Sequence, residues 1–169
     1  LLTMKTITKN ITFAALLSAI AYLLTAFAAI PYAGGAGYLN FGDAVIIFSS
    51  MILGPWWGAL VGAIAGSLAD LSAGYISFAL FTLVAKAGEA IIAGLFFKYI
   101  KNNLKYIGTI LGALFMVATY FVAYLILYGV GGLISSAFDL IQATVGVVFS
   151  IILYQLYIKI YKPNVNSAS

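Results

Sequence analysis

The sequence predicts an all-α integral membrane protein, one domain over residues 1–169 with six transmembrane helices and both termini cytoplasmic. Three observations carry that prediction. Hydrophobic residues make up 64% of the chain and charged residues 7%, with a mean hydropathy of +1.14, a composition outside the range of water-soluble domains. All eight basic residues are lysines, and apart from Lys86 they fall in three groups: Lys5 and Lys9; Lys98, Lys101 and Lys105; Lys159 and Lys162. Juxtamembrane lysine marks the cytoplasmic side, so an even number of crossings separates one group from the next. The third observation is the stretch Phe41 to Asp70, FGDAVIIFSSMILGPWWGALVGAIAGSLAD. As one helix of roughly 30 residues it would run to about 45 Å, well beyond a hydrocarbon core of about 30 Å. Gly54 and Pro55 interrupt its middle, where proline removes a backbone donor and disfavours helical geometry in the residue before it. One apolar run precedes residue 41 and one follows residue 76, so parity requires this stretch to cross twice. It is therefore read as a hairpin turning at Gly54-Pro55-Trp56-Trp57 on the cytoplasmic side, with both tryptophans in the interfacial aromatic belt.

The helices are predicted at about 11–30, 42–53, 56–71, 77–97, 106–127 and 134–158. Leu1 to Thr3, ahead of Met4, are assigned no structure. Ala26-Phe27-Ala28 has the form of a signal-peptidase site, yet the run from Ile11 to Ile30 is longer than a typical signal core and further spans follow, so it is read as the first transmembrane helix. Its inner half carries Ala14, Ala15, Ser18 and Ala19, small residues whose spacing lets another helix approach closely. Pro31 to Phe41, PYAGGAGYLNF, reads as an outside loop able to fold over a cavity. Asn40 is placed to cap the second helix, with Asp43 in its first turn; a ligand contact is the alternative for Asn40. Gly54, Gly58, Gly62, Gly66 and Asp70 recur at every fourth position, a ridge of small residues best read as a packing surface. Asp70 is placed at the outer end, where solvation makes its charge cheap.

The fourth span, Ser77 to Phe97, contains Lys86 and Glu89. By helical rise Lys86 lies about 13 Å below the outer end, near the bilayer midplane. An ionisable group there costs roughly 2.5 kcal/mol or more and normally faces a protein interior or an aqueous cavity. A spacing of three puts Glu89 on the same face, where the two partly neutralise each other; a purely structural pair is the competing reading. Lys98 to Lys105 is read as a cytoplasmic loop. In the fifth span, Gly108 and Gly112 form a packing notch, while Tyr120 and Tyr124 share a face, as pocket walls or as interfacial tyrosines. After a glycine-rich outside loop at Tyr128 to Leu133, the sixth span places Asp139 about 8 Å inside. Gln142, Gly146, Ser150 and Tyr154 continue its face. An interior Asp demands a partner, and Lys86 is the natural candidate because its long side chain can rise toward the outer half. Lys162 to Ser169 reads as a polar, disordered tail.

Several function classes are excluded by composition. The chain has no Cys and no His, which removes disulfides, thiolate or imidazole metal sites, and Ser/His or Cys/His nucleophile pairs. No Walker-type phosphate loop occurs, so any energy source must be another polypeptide. The net charge of +4 reflects lysines spread over cytoplasmic loops and not a nucleic-acid surface. No catalytic residue, metal site or cofactor is expected. Lys86, Glu89, Asp139 and Gln142, with Tyr75, Tyr120 and Tyr124 above them and Asn40 alongside, describe an outward-facing pocket for a small, planar, polar molecule.

The segment LGPWWGALVGAIAGSLAD resembles the signature of substrate-binding S components of energy-coupling-factor (ECF) vitamin transporters, in the riboflavin-transporter-like branch. Ala14-Ala15-Leu16-Leu17-Ser18-Ala19 is similar to that family's A-A-x-x-x-A motif, and the K-A-G-E run at Lys86 to Glu89 extends the likeness along nearly the whole chain. The resemblance implies capture of a vitamin or precursor outside and docking on a transmembrane coupling subunit that carries two cytoplasmic ATPases. ATP hydrolysis would then reorient the S component in the membrane. It implies that Ala14, Ala15 and Ala19 belong to the docking surface, and that the ligand lies beneath the loop around Asn40, contacted by helices four to six. A compact pocket with Lys, Glu and Asp suits pyridoxine or hydroxymethylpyrimidine, with riboflavin next. Two other classes stay open: an integral-membrane enzyme using Asp139 and Glu89 as acid and base, and a structural membrane subunit without a pocket.

Overall fold

A computed structural model of the chain describes residues 2–28, 30–31 and 38–161. Six α-helices run alternately up and down: α1 (Leu2–Phe27), α2 (Gly42–Leu53), α3 (Pro55–Ser72), α4 (Ile76–Tyr99), α5 (Ile107–Tyr128) and α6 (Ser135–Tyr161). A two-residue antiparallel ladder, β1 (Ile30–Pro31) with β2 (Tyr38–Leu39), joins α1 to α2, pairing Ile30 with Leu39 and Pro31 with Tyr38. The centre of the expected outside loop, residues 32–37, and the tail from 162 onward lie outside the described residues. Among the described residues four helices are long and apolar enough to cross a membrane: α1 from Met4, α4, α5 with the turn before it, and α6. α2 is apolar but shorter; its 12 residues span only about 18 Å.

The observed bounds differ from the expected ones in instructive ways. α1 begins nine residues earlier, at Leu2, because an α-helix satisfies its own backbone and need not stop where apolar side chains do. Thr8 in that extension, and Thr12 just after it, donate to carbonyls four residues back. The helix ends at Phe27, short of Pro31, whose ring disfavours helical geometry before it. The glycine-rich segment after α5 is not an open loop but a 3-10 helix, Gly129–Ile134, and a second 3-10 turn, Asn103–Tyr106, precedes α5. The α2–α3 turn falls at Gly54, whose φ of +94° favours glycine, followed by Pro55 at the first position of α3.

The interior is built from small residues. Ala14, Leu17 and Ala21 of α1 pack with Val45, Ile46, Val61, Ala65 and Ala90; Ala85, Ala113, Met116, Ala123 and Ala143 form a second cluster with Phe78, Tyr120 and Tyr124. The glycine ridge of α3 is a packing surface: a Cβ at Gly58 would lie 2.4 Å from Ser50 Cβ, and one at Gly62 would lie 2.7 Å from the Lys86 carbonyl. Leu16, Leu23, Leu68, Leu80, Leu114, Ile141 and Phe149 instead face outward. Apolar surface without and polar groups within is the arrangement suited to lipid.

Candidate functional site

The two ends of the bundle differ in chemistry. At one end lie the start of α1, the α2–α3 turn, the end of α4, the start of α5 and the end of α6, and with them Lys5, Lys9, Lys98, Lys101, Lys105 and Lys159. There Lys105 Nζ sits 5.2–5.3 Å from the ring centroids of Phe97, Tyr106 and Tyr154. Toward the opposite end a narrow cavity of about 30 Å³, room for a water molecule or two, lies among α1, α3, α4, α5 and α6, with Asn40 ahead of α2 completing its wall.

The cavity follows from which face each helix turns inward. Phe78, Thr82 and Lys86, spaced by four, lie on the buried face of α4, with Glu89 continuing it. Asp139, Gln142, Gly146 and Ser150 do the same on α6, and Tyr120 and Tyr124 on α5. Seven of the eight residues expected from sequence line the cavity together: Asn40, Tyr75, Lys86, Tyr120, Tyr124, Asp139 and Gln142. Glu89 does not line it. It is fully buried, and neither of its carboxylate oxygens has a hydrogen-bond partner among the described residues.

Two hydrogen-bonded chains shape the walls. In the first, Thr25 Oγ1 and the Gly42 amide donate to Asn40 Oδ1 at 3.3 and 2.9 Å. The Asn40 amide and Nδ2 both donate to Gln142 Oε1 at 3.1 Å, and Gln142 Nε2 donates to Asp43 Oδ2 at 2.7 Å. Lys86 Nζ completes the chain as the ion-pair partner of Asp43 Oδ1. In the second, the Tyr120 hydroxyl donates to Thr82 Oγ1 at 3.0 Å, and Thr82 Oγ1 donates to Asp70. Beside them the Tyr124 hydroxyl donates to Asp139 at 3.4 Å, and Lys86 Nζ lies 5.3 Å from the centroid of the Tyr120 ring.

Three expectations are corrected here. Lys86 pairs with Asp43, not with Glu89 or Asp139, because α2 begins deep in the bundle and brings its first turn level with Lys86. Asn40 is not the N-cap of α2; Phe41 holds that position without a side-chain cap, while Asn40 closes a local turn onto the Gly42 amide and reaches across to α6. Asp70 is not solvated at the outer end but buried at 5% exposure against Thr82. The fourfold spacing of the α3 glycines already held that information, since it places Asp70 on the face that packs against α4. Asp43, Thr25, Thr82, Phe78 and Asp70 are the site residues that sequence reasoning missed.

The alanine motif divides in two. Ala14 is 4% exposed and packs in the core with Leu17 and Ala21, whereas Ala15 and Ala19, four residues apart, face outward from α1.

The sequence is similar to known proteins. The family model described as "ECF-type riboflavin transporter, S component" matches residues 5–162. An uncharacterised protein of Pyrococcus woesei is 40% identical over 121 residues, covering 70% of this chain and 81% of the relative. The thiamine precursor transporter HmpT of Lactococcus lactis subsp. cremoris is 29% identical over 150 residues, covering 88% of this chain and 87% of that protein.

Proposed function

The chain belongs to the family of ECF-type riboflavin transporter S components, and from that premise we propose that it captures pyridoxine or hydroxymethylpyrimidine outside the cell and delivers it by reorienting in the membrane with ATPase partners. Membership makes it a multi-pass cell-membrane protein and a vitamin-binding transport component, which is not itself an enzyme. It also implies association with an ECF transmembrane coupling subunit and ATPase subunits.

The observation that carries the proposed cargo is the lining of the cavity, aromatic at Tyr75, Phe78, Tyr120 and Tyr124 and polar at Asn40, Lys86, Asp139 and Gln142; its walls would part to admit the ring. Aromatic faces receive a flat ring, and the few polar groups fix its rotation. The relative named as a thiamine precursor transporter favours hydroxymethylpyrimidine, the pyrimidine half of thiamine. Riboflavin is the second reading, favoured by the name of the matched family.

We place the cavity end outside and the lysine end in the cytoplasm, giving six spans with both termini inside. The support is the gathering of Lys5, Lys9, Lys98, Lys101, Lys105 and Lys159 at one end. Ala15 and Ala19 form the docking stripe for the coupling subunit; Ala14, being buried, supports α1 from behind. The proposal is tested by native mass spectrometry of the detergent-purified chain from rich medium, with small-molecule identification after denaturation. A stoichiometric pyridoxine or pyrimidine is the expected result. A chain that is empty and binds no member of a vitamin panel would overturn the reading.

A further inference from the structure

The hydrogen bonds around the cavity have fixed directions, and those directions decide what its polar groups can still offer a ligand. Groups that act in only one sense set them. The backbone amides of Asn40 and Gly42 can only donate, and they donate to Gln142 Oε1 and Asn40 Oδ1. Both side-chain amides are thereby oriented. Gln142 Nε2 is left to meet Asp43 Oδ2, and Lys86 Nζ pairs with the other oxygen of the same carboxylate. On the second wall Thr82 Oγ1 gives its one proton to Asp70, so toward the Tyr120 hydroxyl it can only accept. The Tyr124 hydroxyl likewise turns its proton to Asp139, at 3.4 Å.

What remains divides by side. Tyr120 and Tyr124 have each committed their single proton within the wall, so they present oxygen lone pairs alone. Lys86 Nζ, Gln142 Nε2 and Asn40 Nδ2 each keep at least one N–H beyond the bonds already described. All five residues line the cavity. α2 and α5 each pack against both α4 and α6, so Asn40, ahead of α2, and the tyrosine face of α5 flank it. One side donates and the other accepts. The two acceptors stand one helical turn apart, with ring centroids separated by 6.3 Å.

We propose that the cavity recognises an exocyclic amino group on a flat nitrogen heterocycle, its two N–H groups donating to the Tyr120 and Tyr124 oxygens while ring nitrogens or hydroxyl oxygens accept from Asn40, Gln142 and Lys86. The inference rests on the reading of the cavity as a vitamin-precursor site and adds which edge of the ring faces which helix. A primary amine brings two donors to two acceptors. An ether or carbonyl in its place brings none and sets lone pairs against lone pairs, a mismatch that a buried site penalises heavily. Of the two cargoes above, the aminopyrimidine meets the pattern in full; the pyridine alcohol, whose hydroxyls bring one proton each, meets it in part.

The test is competition binding to the purified full-length chain in alkaline buffer, where the aminopyrimidine is uncharged. The probes are 4-amino-5-hydroxymethyl-2-methylpyrimidine, its 4-methoxy analogue, pyridoxine and riboflavin, each measured on wild type, Tyr120→Phe and Tyr124→Phe. In the wild type the 4-amino compound is expected to bind at least about tenfold more tightly than the 4-methoxy compound. Each Phe variant is expected to narrow that ratio by about threefold or more, because it deletes an acceptor that only the amine uses. Tyrosines that merely support the fold would weaken every probe in step, and an unchanged ratio in both variants overturns the inference. If a variant fails to fold, the wild-type ratio decides alone. Equal or tighter binding of the 4-methoxy compound, or tighter binding of pyridoxine or riboflavin than of the amine, also overturns it while leaving the vitamin-binding role intact. Binding of none of the four compounds overturns both.

Discussion

Replacing Lys86 by Met removes the buried ammonium and leaves Asp43 with Gln142 Nε2 as its remaining hydrogen-bond donor in the chain of contacts described above. Both members of the pair are essentially unexposed, at 1 and 0%, so the Asp43 carboxylate is left charged in the interior without its counter-ion. Breaking such a pair from one side costs about 3–5 kcal/mol. At about 2–4 °C per kcal/mol for a protein of this size, the melting temperature should fall by roughly 6–20 °C. Adding Asp43→Leu removes the stranded charge. Gln142 Nε2 then loses its acceptor at about 1–3 kcal/mol, so the double variant should recover most of the loss without exceeding wild type by much. The assay is thermal unfolding in detergent without ligand, followed by the fluorescence of Trp56 and Trp57, for wild type, both single variants and the double variant. Vitamin binding is measured on the same four proteins. A fall of under about 3 °C for Lys86→Met, or losses that simply add in the double variant, refutes an energetically coupled pair. A double variant that is stable and binds cargo normally refutes a ligand-facing role for Lys86.

Other perturbations separate neighbouring roles. Glu89→Met should raise stability by about 1–3 kcal/mol, because a buried carboxyl without hydrogen bonds is replaced by an apolar chain of similar length; a melting temperature below wild type contradicts this. Ala15→Leu should leave cargo binding intact and abolish ATP-dependent uptake in vesicles with the coupling subunit and ATPases, whereas Ala14→Leu should destabilise the chain by about 1–3 kcal/mol. Equal behaviour of the two variants in both assays refutes the division of the motif. Gly62→Ala places a methyl 2.7 Å from the Lys86 carbonyl and 2.9 Å from Ile46 Cγ2 and should cost about 1–3 kcal/mol, read as a lower melting temperature.

Helix faces were legible in the sequence wherever spacing repeated. Asp139, Gln142, Gly146 and Ser150 on α6 and Tyr120 with Tyr124 on α5 share their buried faces as the helical period requires. What spacing could not supply was depth. Asp43 read as a residue of a first turn near the interface, and only the short, deeply set α2 brings it to the Lys86 ammonium. Asp70 was misplaced for a different reason: solvation was assigned from its position along α3, although its place on the glycine face argued for burial. The Lys86 partner was therefore illegible, since three carboxylates at comparable depth compete for one ammonium and the choice is made by packing between helices.

The floor of the cavity bears on how cargo leaves it. Below the Lys86–Asp43 pair, Ile47, Met51 and Ala93 form a buried cluster with Phe97, Ile151 and Tyr154 packed against it. Beneath that, the Phe97, Tyr106 and Tyr154 rings meet edge to face, with centroids 5.0–6.5 Å apart. A passage through the bundle would have to part these layers and carry a polar molecule across them, breaking close-packed contacts that are stabilising only when made together. Turning the whole body in the membrane leaves every one of those contacts intact and exposes the same mouth on the other side. Its cost falls instead on moving the lysine end through lipid, where six ammonium groups, Lys5, Lys9, Lys98, Lys101, Lys105 and Lys159, resist the motion. On the proposed reading such a motion would draw on an external energy source and a partner surface against the lipid-facing helices, and the exposed small residues Ala15 and Ala19 on α1 would supply one side of that contact.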